Sequence, residues 1–202
     1  MVNRGTLFVI SAPSGAGKTT LYKMALDKIK GLTPSTSYTT RRKRDTEIPD
    51  VDYHFISDEE FSHMIADNKF IEWAEVHGNK YGSPREEIED GLREGKDILF
   101  DIDVQGARNL KRQFHDAVLI YILPPSFDIL KERLTSRNTN ETEDITLRMD
   151  NAVEEIKAVK DFDYLVINNF LTKALNDIES IILSHRAKAQ VNNFDFKQFI
   201  GY

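Results

Sequence analysis

The sequence predicts an α/β fold built on a parallel sheet, and three apolar runs lead to that class. Residues 6–21, TLFVISAPSGAGKTTL, hold the uninterrupted run Leu7, Phe8, Val9, Ile10, which breaks into small residues and reopens as a helix. Residues 98–100 and 118–123 form two further runs, each followed by helical patterning. Unbroken runs of strand-forming residues suit strands covered on both faces by helices, whereas strands with one wet face alternate.

The first run and the loop after it carry chemistry as well as fold. Gly15, Ala16 and Gly17 remove bulk where the backbone must fold tightly around a ligand. A helix starting near Lys18, with Leu21, Met24, Ala25, Lys28 and Ile29 near i, i+3, i+4 spacing, would aim its unpaired amides back into that loop. Amides, helix dipole and lysine then converge on one anion. The pattern sought is G-x-x-x-x-G-K-[ST], in which Lys18 reaches the β- and γ-phosphates of a nucleotide and the Thr19 hydroxyl ligates magnesium. Ala12 stands at the position of the first glycine, and a residue with a Cβ does not readily take positive φ. The plainer alternative is a Gly/Ser turn with a solvated lysine.

The composition restricts the alternatives. A chain of 202 residues is long enough for one sizeable core with small inserted subdomains. Its 40% hydrophobic and 30% charged residues fit a globular domain, and no apolar run approaches membrane-spanning length. The opening MVNRGTL passes directly into the first strand and leaves no room for a signal peptide, so a cytoplasmic location is expected. The absence of cysteine excludes disulfides, thiolate catalysis and cysteine metal sites. A net charge of -6 argues against broad nucleic-acid binding. The five histidines, His54, His63, His77, His115 and His185, lie too far apart for local metal-ligand spacing.

After the first helix, Gly31 and Pro34 punctuate the chain before residues 35–55, STSYTTRRKRDTEIPDVDYHF. The consecutive cations Arg41, Arg42, Lys43 and Arg44 read either as a solvated face or as a phosphate site. Ser37, Thr39, Thr40 and Tyr53 around them are hydrogen-bond partners for phosphate and favour the second reading. Ser57 and Glu60 form an S-x-x-E capping box ahead of Phe61, Met64 and Ile65. Phe70, Ile71, Trp73 and Val76 read as a strand or irregular apolar segment, and Gly78, Asn79 and Gly82 as the turn after it. Ser83 and Glu86, with Pro84 as the first helical residue, predict a second capping box and a helix running toward Gly95. Residues 35–95 together read as a small mixed α/β insertion.

The core resumes at Asp97 with a strand expected to end in two carboxylates, Asp101 and Asp103. Ligands gather at the carboxyl ends of strands in open parallel sheets, so these acids should face the phosphate loop. They could equally cap the next helix. Pro124 and Pro125 stop the strand over 118–123, and a helix follows through Phe127, Leu130 and Leu134. Residues 136–144, SRNTNETED, carry no large apolar group and read as an exposed mobile loop with Arg133, Arg137 and Arg148 around it. A closing flap would bring these cations onto a transferred phosphate; singly, each reads as a surface charge. A long helix is expected over 144–160, a last strand over 164–167, a turn at Asn168 and Asn169, and a closing helix through Leu171, Leu175, Ile178 and Ile182.

The stretches SAPSGAGKT, TTRRKR, DYHF, FIEWAEVHGNKYGS, DIDVQGA and ILPPS, with the arginine-bearing loop before Arg148, together resemble the guanylate kinase family over nearly the whole chain. The resemblance implies a P-loop kinase fold: a parallel five-stranded core sheet flanked by helices, a nucleotide-binding insertion and a mobile lid. Its divisions would be a core over 1–34, 96–135 and 149–202, a GMP-binding insertion over 35–95 and a lid over 136–148. It implies transfer of the γ-phosphoryl group of ATP, bound with Mg²⁺, to GMP. Arg41, Arg44, Tyr53 and Tyr81 match the positions that hold the GMP phosphate, and Ser37, Glu72, Ser83 and Asp103 those around guanine. Ala12, Pro13, Ser14, Gly15, Ala16, Gly17, Lys18, Thr19 and Thr20 match the ATP phosphate loop, the lid residue Arg137 is a further ATP-binding match, and Asn168 lies in the turn that resembles the adenine-side contact.

Lys18, Arg41, Arg133, Arg137 and Arg148 would neutralise the reacting phosphates, and Asp101 would organise the magnesium shell beside Thr19. Thr46 and Val51 stand where the family commonly has glycine, and Asn138 and Asn169 are further departures. ATP and GMP are the expected partners, with no nucleic acid or membrane, and homo-oligomerisation is left open. The competing readings are a catalytically silent protein-binding module of the same fold and another nucleoside-monophosphate kinase.

Overall fold

The computed structural model describes residues 4–76, 78–136 and 153–188. Strand β1 (Leu7–Ser11) is buried throughout and lies at the centre of a five-stranded sheet. It leads through the glycine loop into helix α1 (Lys18–Lys28), and strand β2 (Leu32–Pro34) follows. The remaining core strands are β7 (Asp97–Asp101), β8 (Val118–Leu123) and β9 (Tyr164–Ile167), in the order β2-β7-β1-β8-β9, and every pairing is parallel.

Strand alternation sends β1 to two cores at once. Phe8 and Ile10 pack with Leu99, Ile120 and Ile122 against Leu21 and Ala25 of α1 and against Ile178 and Ile182 of the closing helix α6 (Leu171–Arg186). Leu7 and Val9 pack on the other face with Ile98, Phe100 and Leu119 against helices α3 (Arg85–Arg93) and α4 (Val104–Gln113). Covering both faces with apolar side chains explains why these strands read as unbroken apolar runs.

A second sheet, ordered β4-β3-β6-β5, occupies the span between β2 and α3. It comprises β3 (Tyr38–Thr39), β4 (His54–Phe55), β5 (Phe70–Val76) and β6 (Asn79–Pro84). Helix α2 (Asp58–Ala66) forms with its capping box complete: Ser57 Oγ accepts from Glu60 N at 3.1 Å, and Glu60 Oε2 accepts from Ser57 N at 2.9 Å. Its Phe61 ring stacks on Phe70 at 4.4 Å between centroids. The register of β5 shifts between Phe70 and Glu72, so that Glu72 lies opposite Ser83.

Several local expectations are corrected. Gly82 belongs to β6 and pairs with Tyr38 and Trp73 instead of forming a turn. The second capping box does not form: Pro84 is itself the N-cap of α3, with no side-chain cap bond, and the Ser83 hydroxyl is bonded to Glu72. Strand β7 stops at Asp101, and Asp103 caps α4 by accepting from Gly106 N at 2.9 Å. Residues 158–160, expected at the end of a long α-helix, belong instead to a 3-10 turn over Ala158–Asp161. Helix α5 (Phe127–Ser136) follows β8 as expected, while the loop and lid beyond it, with Arg137, Asn138 and Arg148, and residues 144–152 of the long helix lie outside the described residues.

Candidate active site

The loop between β1 and α1 gathers the carboxyl end of a central strand and the amino end of a helix. Its left-handed positions are Gly15 (φ 85°) and Gly17 (φ 91°), and the positive-φ non-glycine residues described are Asp50 and Asn68. Ala12 therefore sits at a backbone that alanine adopts without strain. In the loop after the arginines the left-handed position falls on Asp50, so neither Thr46 nor Val51 requires a glycine conformation. Helix α1 starts after Gly17 with no side-chain cap and no acid in its first turn. Its first amides and the positive end of its dipole thus face the loop with no counter-charge from the helix's own first turn. Ser14 N, the amide at the loop's tip, donates to a carboxylate oxygen of Glu155 at 3.4 Å. Pro13 O accepts from Ala16 N at 3.1 Å and tightens the turn, while Thr19 and Thr20 are exposed on the first helical turn.

Parallel pairing sets Ile10 beside Asp101 and brings the end of β7 to this loop. Lys18 Nζ lies 2.5 Å from Asp101 Oδ1 and donates to Ile102 O at 3.2 Å. A cavity of about 180 Å³ opens here, lined by Lys18, Ser37, Tyr53, Glu72, Asp101 and Asp103 among others. Ser37, Tyr53, Tyr81 and Asp101 also line an adjoining cavity of about 670 Å³, which Thr19, Arg41 and Arg44 border. Lys18 and Thr19 of the expected donor set, and Ser37, Arg41, Arg44, Tyr53, Glu72, Tyr81 and Asp103 of the expected acceptor set, therefore line these two adjoining cavities.

Glu72, which lines the smaller cavity, is 6% exposed. The buried Ser83 hydroxyl donates to Glu72 Oε1 at 2.6 Å and lies 3.4 Å from the Ser37 hydroxyl. Burial pushes the Glu72 carboxyl up to about 7; the negative charge of Asp103 adds to the effect and the Ser83 hydrogen bond opposes it. A Cβ on Gly106 would lie 2.8 Å from Glu72 Oε2 and 3.3 Å from Asp103 Oδ1, so a glycine there lets the two carboxylates approach.

Arg41, which lines the larger cavity, donates to both carboxylate oxygens of Glu47, at 2.8 and 3.1 Å. Its guanidinium stands over the rings of Tyr53 and Phe55, at 5.4 and 5.8 Å from their centroids. Tyr53 meets Tyr81 edge to face at 6.0 Å. Burial opposes ionisation of Glu47, but hydrogen bonds from Arg41 and from the Arg44 amide outweigh it and hold the carboxyl below its ordinary range. Arg44 itself extends outward, with a largely exposed side chain. Arg133, on α5, donates to Asn168 O at 3.3 Å. The Asn168 side chain is buried and donates to Ala16 O at 2.8 Å, so it is engaged with the phosphate loop.

The family model described as guanylate kinase matches residues 4–185. The chain belongs to the guanylate kinase family. It is 47% identical to the guanylate kinase of Syntrophotalea carbinolica over 189 residues, covering 94% of this chain and 90% of that one. It is 42% identical to that of Thermotoga maritima over 196 residues, covering 97% and 95%. The crystal structure of guanylate kinase from Anaplasma phagocytophilum superposes with a TM-score of 0.80 at 30% identity, over 94% of this chain and 90% of that one. Family and fold therefore agree with the resemblance carried by the motifs, including the five-stranded parallel sheet.

Two residues of the cleft escape a reading of motifs. Glu47 is an acid six positions beyond Arg41, and its sign amid the basic run is the signal that could have revealed it. Gly106 falls within DIDVQGA, but its use depends on Glu72, which comes from another sheet. For magnesium, the Asp101 carboxylate and the Thr19 hydroxyl offer hard oxygen donors beside the phosphate loop, and this small set suits an ion that completes its shell with phosphate oxygens and water.

Proposed function

We propose that this chain transfers the γ-phosphoryl group of MgATP to GMP, with dGMP as a second acceptor, giving ADP and GDP. The observation that carries this reading is the buried Glu72–Ser83 pair, with Glu72 and Asp103 lining the same cavity as Lys18 and an adjoining cavity reaching Thr19. Guanine offers N1–H and N2–H₂ donors, which suit the two carboxylates, and an O6 acceptor, which suits a serine hydroxyl. Adenine lacks N1–H and carries an amino donor in place of O6, so it would leave buried groups unpaired. The acceptor phosphate would then meet Arg41, Arg44, Tyr53 and Tyr81.

The chemistry requires two polyanions to meet in line. An oxygen of the acceptor phosphate forms a bond to the γ-phosphorus as the bond from that phosphorus to the β,γ-bridging oxygen breaks, leaving ADP. The accepting phosphate is already anionic, so no general base is assigned. The loop amides and Lys18 hold the donor phosphates, while Arg133, with Arg137 and Arg148 by family resemblance, neutralises charge on the group in transit. Thr19 and Asp101 would hold Mg²⁺, which when bound offsets phosphate charge. Residues 35–95 serve in this reading as the acceptor-binding insertion, and the cytoplasm, with its nucleotide pool, as the site of action.

The deciding assay is ADP release from MgATP with GMP, dGMP, AMP, CMP, UMP or no acceptor, at equal concentration. Turnover confined to guanine nucleotides is expected. Turnover with AMP or a pyrimidine would overturn the guanine assignment, and no turnover from folded protein would favour a silent binding module.

A further inference from the structure

We propose that Asn168 is a positioning residue that sets the phosphate loop and Arg133 in register with each other. This inference rests on the donor half of the functional reading above. Asn168 follows β9, and its backbone amide donates to Leu123 O, at the end of β8, at 2.7 Å. From that anchor its side-chain amide, 2% exposed in all, donates to Ala16 O at 2.8 Å. The described peptides are trans. The carbonyl and the amide of one such unit lie on opposite edges of its plane, so drawing Ala16 O toward Asn168 turns Gly17 N–H to the edge away from it. That amide belongs to the set that the loop and the start of α1 offer to an anion.

Gly17 shows how close the fit is. A Cβ there would lie 2.5 Å from Asn168 Nδ2, so the asparagine fills the space that any larger residue would need. From its other side Asn168 O accepts from Arg133 Nη2 at 3.3 Å. Leu130 and Leu134, which flank Arg133 on the same helix, lie within 3.3 Å of where a Cβ on Gly15 would stand. One residue thus joins the loop carbonyl, the end of the sheet and the arginine of α5. Disturbing its side chain should perturb how the donor phosphates are held and leave the acceptor site unchanged.

Asn168→Asp keeps the shape but sets a carboxylate oxygen against Ala16 O, and Asn168→Ser shortens the chain and removes the reach. In both, kcat/KM for MgATP should fall about tenfold or more. MgITP, which carries the same triphosphate on a different base, should lose by the same factor, and KM for GMP should stay within about twofold of the starting value. A loss seen with MgATP and absent with MgITP would make Asn168 a base contact and overturn the proposal. Equal losses toward MgATP and GMP, or none, would overturn it too. Calorimetric binding of MgATP to the folded variants reads the same effect without turnover: an unchanged affinity in both refutes the positioning role even if the unmodified chain transfers to no acceptor.

Discussion

Glu72→Gln separates the cost of the candidate guanine site from its use. The carboxyl is 6% exposed and lies at about 7 against an ordinary 4.5, with burial as the main cause. Between those values the folded chain holds a proton that the unfolded chain has released, so stability falls as pH rises through the window and the loss is complete above about 7. At about 1.4 kcal/mol per pH unit, the penalty on the unliganded protein approaches about 3 kcal/mol. Glutamine keeps the size and carries no titrating proton. In urea unfolding without nucleotide, the variant should match the unmodified chain near pH 4.5 and exceed its stability at pH 8 by up to about 3 kcal/mol.

The same substitution replaces a carboxylate acceptor with a neutral amide. A hydrogen bond to a charged group contributes about 1.5–3 kcal/mol, so kcat/KM for GMP should fall roughly 10- to 100-fold while KM for ATP holds. Acidification below about 7 should raise KM for GMP in the unmodified chain, because Glu72 must release its proton to accept from guanine N1–H. The variant should lose that inflection and keep only the one at about pH 6 that belongs to the phosphate of GMP itself. Parallel stability curves for the two proteins, or an unchanged pH profile for GMP, would refute a buried, proton-linked role for Glu72.

Four further outcomes are expected. Glu47→Gln should loosen Arg41, whose guanidinium it holds at 2.8 and 3.1 Å, and raise KM for GMP severalfold in steady-state assays with little change for ATP. Gly106→Ala should set a methyl 2.8 Å from Glu72 Oε2 and lower kcat/KM for GMP at least about tenfold, with circular dichroism confirming a folded chain. Lys18→Ala, which removes the partner 2.5 Å from Asp101, should cut transfer by about 100-fold or more, measured as ADP release. Chelation of magnesium by EDTA should stop transfer and leave the unfolding midpoint of the nucleotide-free protein unchanged, because Thr19 and Asp101 offer the ion too few ligands without the nucleotide's phosphates.

The donor half of the cleft was legible because its signals are contiguous. Residue types and spacing from Leu7 to Thr19 determine strand, loop and helix together; the structure adds that Ala12 needs no glycine conformation and that the loop is held from distant positions by Asn168 and Glu155. The acceptor half depends on contacts that no local pattern encodes. The spacing of Ser83 and Glu86 suits a helix cap, but Ser83 is a fully buried strand residue opposite Glu72, and that carboxyl, eleven residues away, accepts its hydroxyl. The register shift before Glu72 is equally hidden, and the strands over 32–34, 38–39 and 54–55 are too short to show a period.

Asp103 shows how the two kinds of signal combine. It caps α4, as its position in sequence allowed, and it also lines the cavity that holds Glu72, the proposed guanine site. The cap fixes the side chain that the cleft uses, so a local preference positions a distant function. Where the local rule and the site disagree, as at Ser83 and Glu72, the site prevails and stability bears the difference. The penalty should therefore be concentrated in the acceptor half, and substitutions that neutralise Glu72 or relieve its crowding by Asp103 should stabilise the unliganded chain while weakening its hold on GMP.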